Sequence, residues 1–181
     1  MKLASADMAA PAQNKLLLAL DLSTQSSGWA LKDLKTQELV DYGCITSSKK
    51  DAIVRITEMR SALSEILSAH PSIQKVIAEE VRLDNLNLHT QKLLTYTQFA
   101  LIDSIYQTNP EIKYEFIQPS SWRSKIGIKT GRGIKRAELK KKDIEYVKGK
   151  YNIEVNDDIA DAIGIADSYF IAQAAVNQCA W

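Results

Sequence analysis

The chain has 181 residues, a mass of 20.2 kDa, 45% hydrophobic residues and a formal net charge of +1. That length accommodates one globular domain with a substantial core, and a second domain of full size would not fit comfortably in it. No apolar run approaches the ~18 residues of a membrane span, and two cysteines, Cys44 and Cys179, lack the spacing of a disulfide framework or a zinc site.

Residues 1–15 are Ala-rich, contain Pro11 and show no periodicity, so they read as a disordered tail. Residues 16–175 are expected to form the single domain, and 176–181 a C-terminal tail. Residues 16–20 (LLLAL) read as a buried strand running into Asp21, followed by a polar turn over 23–28. Residues 29–32 and 39–46 predict two further strands and hence an antiparallel meander. From 52 to 70, Ile53, Ile56, Leu63, Ile66 and Leu67 recur at helical spacing, and Pro71 follows. Residues 76–81 (VIAEEV) predict a short strand carrying Glu79 and Glu80. A second long helix is expected over 88–107, then a strand over 114–117 that Pro119 ends. Residues 125–133 read as a Gly-containing loop and 135–151 as a basic helix. Asn156 or Asp157 caps a last helix running to about residue 173. This order predicts an α/β fold with a mixed five-stranded sheet.

The small net charge hides an asymmetry. Between Arg123 and Lys150 stand eleven Lys or Arg against Glu138, Asp143 and Glu145, a local +8, which leaves 1 − 8 = −7 for the rest. A basic block on an acidic body suits a polyanionic partner, because Lys and Arg that neutralise phosphates release counterions. The competing reading is a solvated helix face.

The acids pose a sharper question. Asp21 ends a strand that is otherwise wholly apolar, and a charge buried without a partner costs several kcal/mol. Asp158 and Asp161 are three residues apart and share a face at the start of the otherwise apolar last helix. Glu79 and Glu80 point to opposite faces of their strand, so one of them faces a site. Each acid alone has an ordinary explanation as a cap or a surface group. Together they make sense if Asp21, one of the two glutamates, Asp158 and Asp161 converge on Mg²⁺ or Mn²⁺, which take oxygen ligands.

The motifs D-x-S-T-x-x-x-G-W-A (residues 21–30), I-A-E-E-V (77–81) and D-I-A-D-A-I-G-I-A (158–166) resemble the RuvC family of Holliday junction resolvases, within the RNase H-like nucleases, and most of all its phage-encoded members. The resemblance spans residues 16–173. It implies an RNase H-like fold and a structure-selective DNA endonuclease that nicks four-way junctions symmetrically, leaving 5′-phosphate and 3′-hydroxyl ends. Asp21, Glu79, Asp158 and Asp161 would be the catalytic and metal-binding residues, with two ions per site. Glu79 matches the family glutamate. Arg123, Lys125, Lys129, Arg132, Lys135 and Arg136 would bind DNA. A homodimer formed through the second long helix, around Leu86, Leu93, Leu94 and Leu101, would match the two-fold symmetry of the junction. The expected location is the cytoplasm, that of the host for a phage protein. Residues 22–24 are Leu-Ser-Thr where bacterial members carry Pro-Gly-Ser, and the basic segment after Pro119 is longer. The competing readings are a broader nuclease of three-way junctions, flaps and forks, and a junction-binding protein without catalysis. An actin-like ATPase would need a second domain. Neither His70 nor His89 has a catalytic neighbourhood, and Trp29 and Trp122 read as core aromatics.

Overall fold

A computed structural model describes residues 14–81 and 87–178, with side chains through Ala175. Its strands are β1 (Leu16–Asp21), β2 (Ser26–Asp33), β3 (Leu39–Thr46), β4 (Ile73–Glu79) and β5 (Lys113–Ile117). Its helices are α1 (Ala52–Ala69), α2 (Leu88–Thr108), α3 (Pro119–Lys125), α4 (Arg136–Tyr151) and α5 (Asp157–Gln178). One sheet has the order β3-β2-β1-β4-β5, with β1–β2 and β2–β3 antiparallel and β1–β4 and β4–β5 parallel.

The continuous apolar run of β1 follows from its central place. Strand side chains alternate between faces, so Leu16, Leu18 and Leu20 pack with Met59, Leu63 and Leu67 of α1 and with Leu101 and Ile105 of α2. Leu17 and Ala19 face the other way, toward Trp122 of α3 and Ile165, Ala166 and Phe170 of α5. A strand covered on both faces has no polar side to show. A third cluster joins Ala30 to Val147 of α4 and to Ala160, Ala162 and Ile163 of α5.

Several boundaries differ from the sequence reading: β4 is Ile73–Glu79 rather than 76–81, so Glu80 lies beyond the strand, α5 runs to Gln178 rather than to about 173, and two further differences have identifiable reasons. β2 starts at Ser26 rather than Trp29, because Ser26, Ser27 and Gly28 pair with Thr46, Ile45 and Cys44. Residues 119–125 form α3, where the sequence suggested only a strand terminator. Pro119 fills the first helical turn, where its missing N–H is no loss. Asn156 caps α5 through its side chain, which accepts from the Ile159 N–H at 2.9 Å. Among the described residues no helix is long and apolar enough to cross a membrane.

Candidate active site

Parallel pairing of β1 and β4 brings two acids to one edge of the sheet. Leu20 is opposite Ala78, so Asp21 and Glu79, the last residues of their strands, leave the sheet side by side. The carboxyl ends of parallel strands are where α/β folds build sites. The third contribution comes from α5, and Gly28 admits it. Gly28 pairs with Asp21, and a Cβ on it would lie 1.9 Å from the Asp158 backbone oxygen. Any side chain there would push the first turn of α5, and with it Asp158 and Asp161, away from the strand end. The cleft that results has a volume of about 670 Å³ and is lined by Asp21, Glu79, Glu80, Asp158 and Asp161 together with Arg123, Arg136 and Lys140.

The two glutamates are treated differently. Glu79 accepts a hydrogen bond from Trp122 Nε1 at 2.7 Å and stands 3.8 Å from Arg123 Nη1. Its charge is among the causes that raise the pKa of Asp21. Glu80 follows the strand and accepts from Gln118 Nε2 at 2.5 Å.

The electrostatics of the cleft oppose its own ionisation. Burial, followed by the charges of Glu79 and Asp158, lifts the Asp21 carboxyl to about 7. Burial and then Asp21 lift Asp161 to about 9, against the pull of Arg123. Burial also raises Glu79, with Trp122, Arg123 and Arg136 opposing. Asp161 Oδ1 is buried and lacks a hydrogen-bond partner. Four hard oxygen donors that repel one another, one with an orphaned buried oxygen, fit a divalent cation. Among the described residues no three acid, imidazole or thiol side chains form a ready-made metal cage. The acids are held instead by Arg123, Lys140, Trp122 and Ser26, whose hydroxyl donates to Asp158.

The six basic residues of the sequence reading separate into two groups. Lys125, Lys129, Arg132, Lys135 and Arg136 are exposed. Arg123 is a correction: it is 7% exposed, and its guanidinium faces inward to Asp143 and Asp161, both at 2.9 Å. Burial would lower the Arg123 pKa, but Asp161, Asp143 and Glu79 together raise it and keep the group charged. Lys140, which is not among those six, turns into the cleft to pair with Asp157 and approaches Asp158 at 3.8 Å. Asp143 is a further member of the site: in the sequence it is one of three acids on a lysine-rich helix, with Glu138 and Glu145, and only its burial in the fold sets it apart. Trp122 is core, as expected, but also binds Glu79.

The helix expected to mediate dimerisation needs a similar correction. Leu101 is 1% exposed, packed in the core between α1 and the sheet, whereas Leu93 and Leu94 are half-buried. The apolar residues α2 exposes are Leu88, Tyr96, Phe99 and Tyr106. Leu86 lies outside the described residues.

Residues 14–174 match the family described as DUF3882, Lactococcus phage M3 protein. No curated protein matches the sequence. Among solved structures, Thermus thermophilus RuvC in complex with a Holliday junction is similar, with a TM-score of 0.69 at 13% identity, covering 89% of this chain and 96% of that one. The yeast mitochondrial Holliday junction resolvase superposes with a TM-score of 0.57 at 14% identity, over 91% and 81% of the two chains. The Fowlpox virus resolvase gives 0.55 at 16% identity, over 87% and 98%. At these identities the likeness establishes the fold, which is RNase H-like and of the RuvC type.

Proposed function

The chain belongs to the DUF3882 family, described as Lactococcus phage M3 protein, and from that premise we propose that it is a metal-dependent endonuclease that resolves Holliday junctions by symmetric nicking. The observation that carries this reading is the meeting of Asp21, Glu79, Asp158 and Asp161, from three separate elements, in one cleft beside a basic rim in a RuvC-type fold. The solved relatives that share the fold include T. thermophilus RuvC and the Fowlpox virus enzyme, both described with Holliday junction DNA.

The four carboxylates would hold two Mg²⁺ or Mn²⁺ ions per site. When bound, such ions activate the attacking water and stabilise the leaving oxygen of an in-line phosphodiester displacement. The chain's own part is positioning. Asp21 is fixed by the strand pairing of β1, Glu79 by the indole N–H of Trp122, and Asp158 by the Ser26 hydroxyl. Lys125, Lys129, Arg132, Lys135 and Arg136, exposed along the segment that leads into α4, grip phosphates and set the register of the DNA. Gly127 and Gly133 have φ of 84° and 93°, so the loop's shape depends on residues that tolerate the left-handed region. The exposed face of α2, with Tyr96, Phe99 and Tyr106, pairs two copies, so that two clefts meet the two strands of a junction. The work of such an enzyme lies in the cytoplasm of a phage-infected host.

The test uses end-labelled four-way junction, three-way junction and linear duplex with Mg²⁺, Mn²⁺ or EDTA, for the wild type and Asp21→Asn. The expected result is paired, metal-dependent nicks at symmetric positions of the four-way junction, with Asp21→Asn binding the junction but leaving it uncut. Equal cutting of all branched forms would replace this reading with that of a general branch nuclease. No cutting under any condition would leave a binding protein.

A further inference from the structure

Arg123 is a buried cation set apart from the exposed basic rim. Its Nε donates to Asp143 Oδ2 at 2.9 Å, Nη2 lies 2.9 Å from the same oxygen and donates to Asp161 Oδ2 at 2.9 Å, and Nη1 stands 3.8 Å from Glu79 Oε2. Its guanidinium carbon lies 4.1 Å from the centroid of the Trp122 ring. The group is therefore seated between the acid of β4 and the second acid of α5. Lys140 stands at Asp157 and Asp158 instead, and neither cation is within ion-pair distance of Asp21.

A guanidinium and a divalent ion compete for the same carboxylate oxygens. Arg123 is difficult to displace, because Asp143, 1% exposed, would then be a buried anion without its counter-ion. The planar fork suits this task, since it reaches several carboxylates at once while an ammonium is a point charge. The sequence places Asp143 and Arg123 in different elements, and only their meeting gives the arginine a counter-ion of its own.

We propose that Arg123 is a built-in counter-ion that occupies the Glu79–Asp161 end of the carboxylate set, so that the DNA-free protein takes up one divalent cation rather than two. This deepens the metal-dependent reading and rests on it. Arg123 is then a positioning residue, holding Asp161 and Glu79 in place while the cleft waits for DNA.

The test is a Mn²⁺ titration of the DNA-free protein, with bound ion counted by calorimetry and by the loss of the free-ion paramagnetic resonance signal. The wild type is expected to bind one equivalent, and Arg123→Gln two, with the fold checked by circular dichroism. Arg123→Lys, which keeps the charge but not the fork, is expected to admit the second equivalent at more than tenfold weaker affinity than Arg123→Gln. Wild-type crystals soaked in Mn²⁺ supply a readout that needs no variant to fold: a single anomalous peak with the guanidinium still between Glu79 and Asp161. Two equivalents or two peaks in the wild type would overturn the proposal and leave the metal-dependent reading standing, as would one equivalent in a folded Arg123→Gln. No Mn²⁺ binding at all would overturn both.

Discussion

With burial and mutual repulsion lifting the Asp21 carboxyl to about 7 and Asp161 to about 9, the metal-free fold holds protons that the unfolded chain, with aspartates near ~4, gives up. The stabilisation from these raised groups is fully present below about pH 4 and is lost as pH rises through their folded values. The expected outcome is a metal-free stability that declines between pH 5 and 8, with a slope of up to about 1.4 kcal/mol per pH unit for each group and a falling Tm. Asp161→Asn flattens the decline, and saturating Mg²⁺ reverses it, because the ion binds the ionised form. Thermal melts of both proteins at four or five pH values check this, and a wild-type Tm that rises across the window without metal would contradict it.

At the scale of elements, β2, α4 and α5 are joined around a buried acid on the side away from the candidate site. Lys32 of β2, 2% exposed, lies 2.5 Å from Asp167 of α5, which also accepts hydrogen bonds from Tyr146 and Tyr151. Breaking one partner leaves an uncompensated buried charge, whereas replacing both with apolar groups of similar volume removes the cost of desolvation as well. Asp167→Ala is expected to cost about 3–5 kcal/mol in urea denaturation, and Lys32→Met/Asp167→Leu less than that single change. A double variant as unstable as Asp167→Ala would show that the partners from α4, the Tyr146 and Tyr151 hydroxyls and Lys150 at 2.9 Å, dominate over the Lys32–Asp167 pair. The outward face of α2 makes the opposite kind of prediction. Phe99 is 66% exposed in the single chain, so Phe99→Glu should change folding stability by no more than about 0.5 kcal/mol. The same change should turn a dimer into a monomer by light scattering. A wild type that is monomeric at tens of micromolar would remove α2 from the proposal.

For the molecule as a whole, the proposed function makes charge the factor that decides how DNA arrives. The acids gather in the cleft, while Lys125, Lys129, Arg132, Lys135 and Arg136 stand exposed at and before the start of α4. Arg136 also lines the cleft, where its charge opposes the rise of the Glu79 pKa and adds to the lowering of that of Asp157. Reversing Lys135 and Arg136 to Glu should weaken junction binding and reduce the slope of log K against log salt by about 0.9 for each phosphate that is no longer neutralised. Measuring binding of uncut junction by the Asp21→Asn protein over a range of about 50 to 200 mM salt separates this from catalysis. An unchanged slope would move the DNA path to another face.

Local pattern was enough to read the elements whose residues carry their own signal. The all-apolar run before Asp21 marked a strand buried on both faces, the spacing of Ile56 and Leu63 marked α1, and the DIADAIGIA stretch marked an acidic turn opening an apolar helix. α3 was not legible, because a seven-residue helix carries too short a period, and its Trp122 lies over Gly164, where a Cβ would meet the ring at 2.6 Å. That close approach is a property of two segments far apart in the chain. The same holds for the site. Sequence by itself determined which acids are anomalous in apolar surroundings, since the cost of burying a charge is a property of the residue and its neighbours in sequence. Only the tertiary structure decided that Arg123 faces Asp143 and Asp161, that Lys140 turns into the cleft and that Glu79 meets Trp122. The direction of a long polar side chain is set by partners brought near through folding, and no local periodicity encodes them.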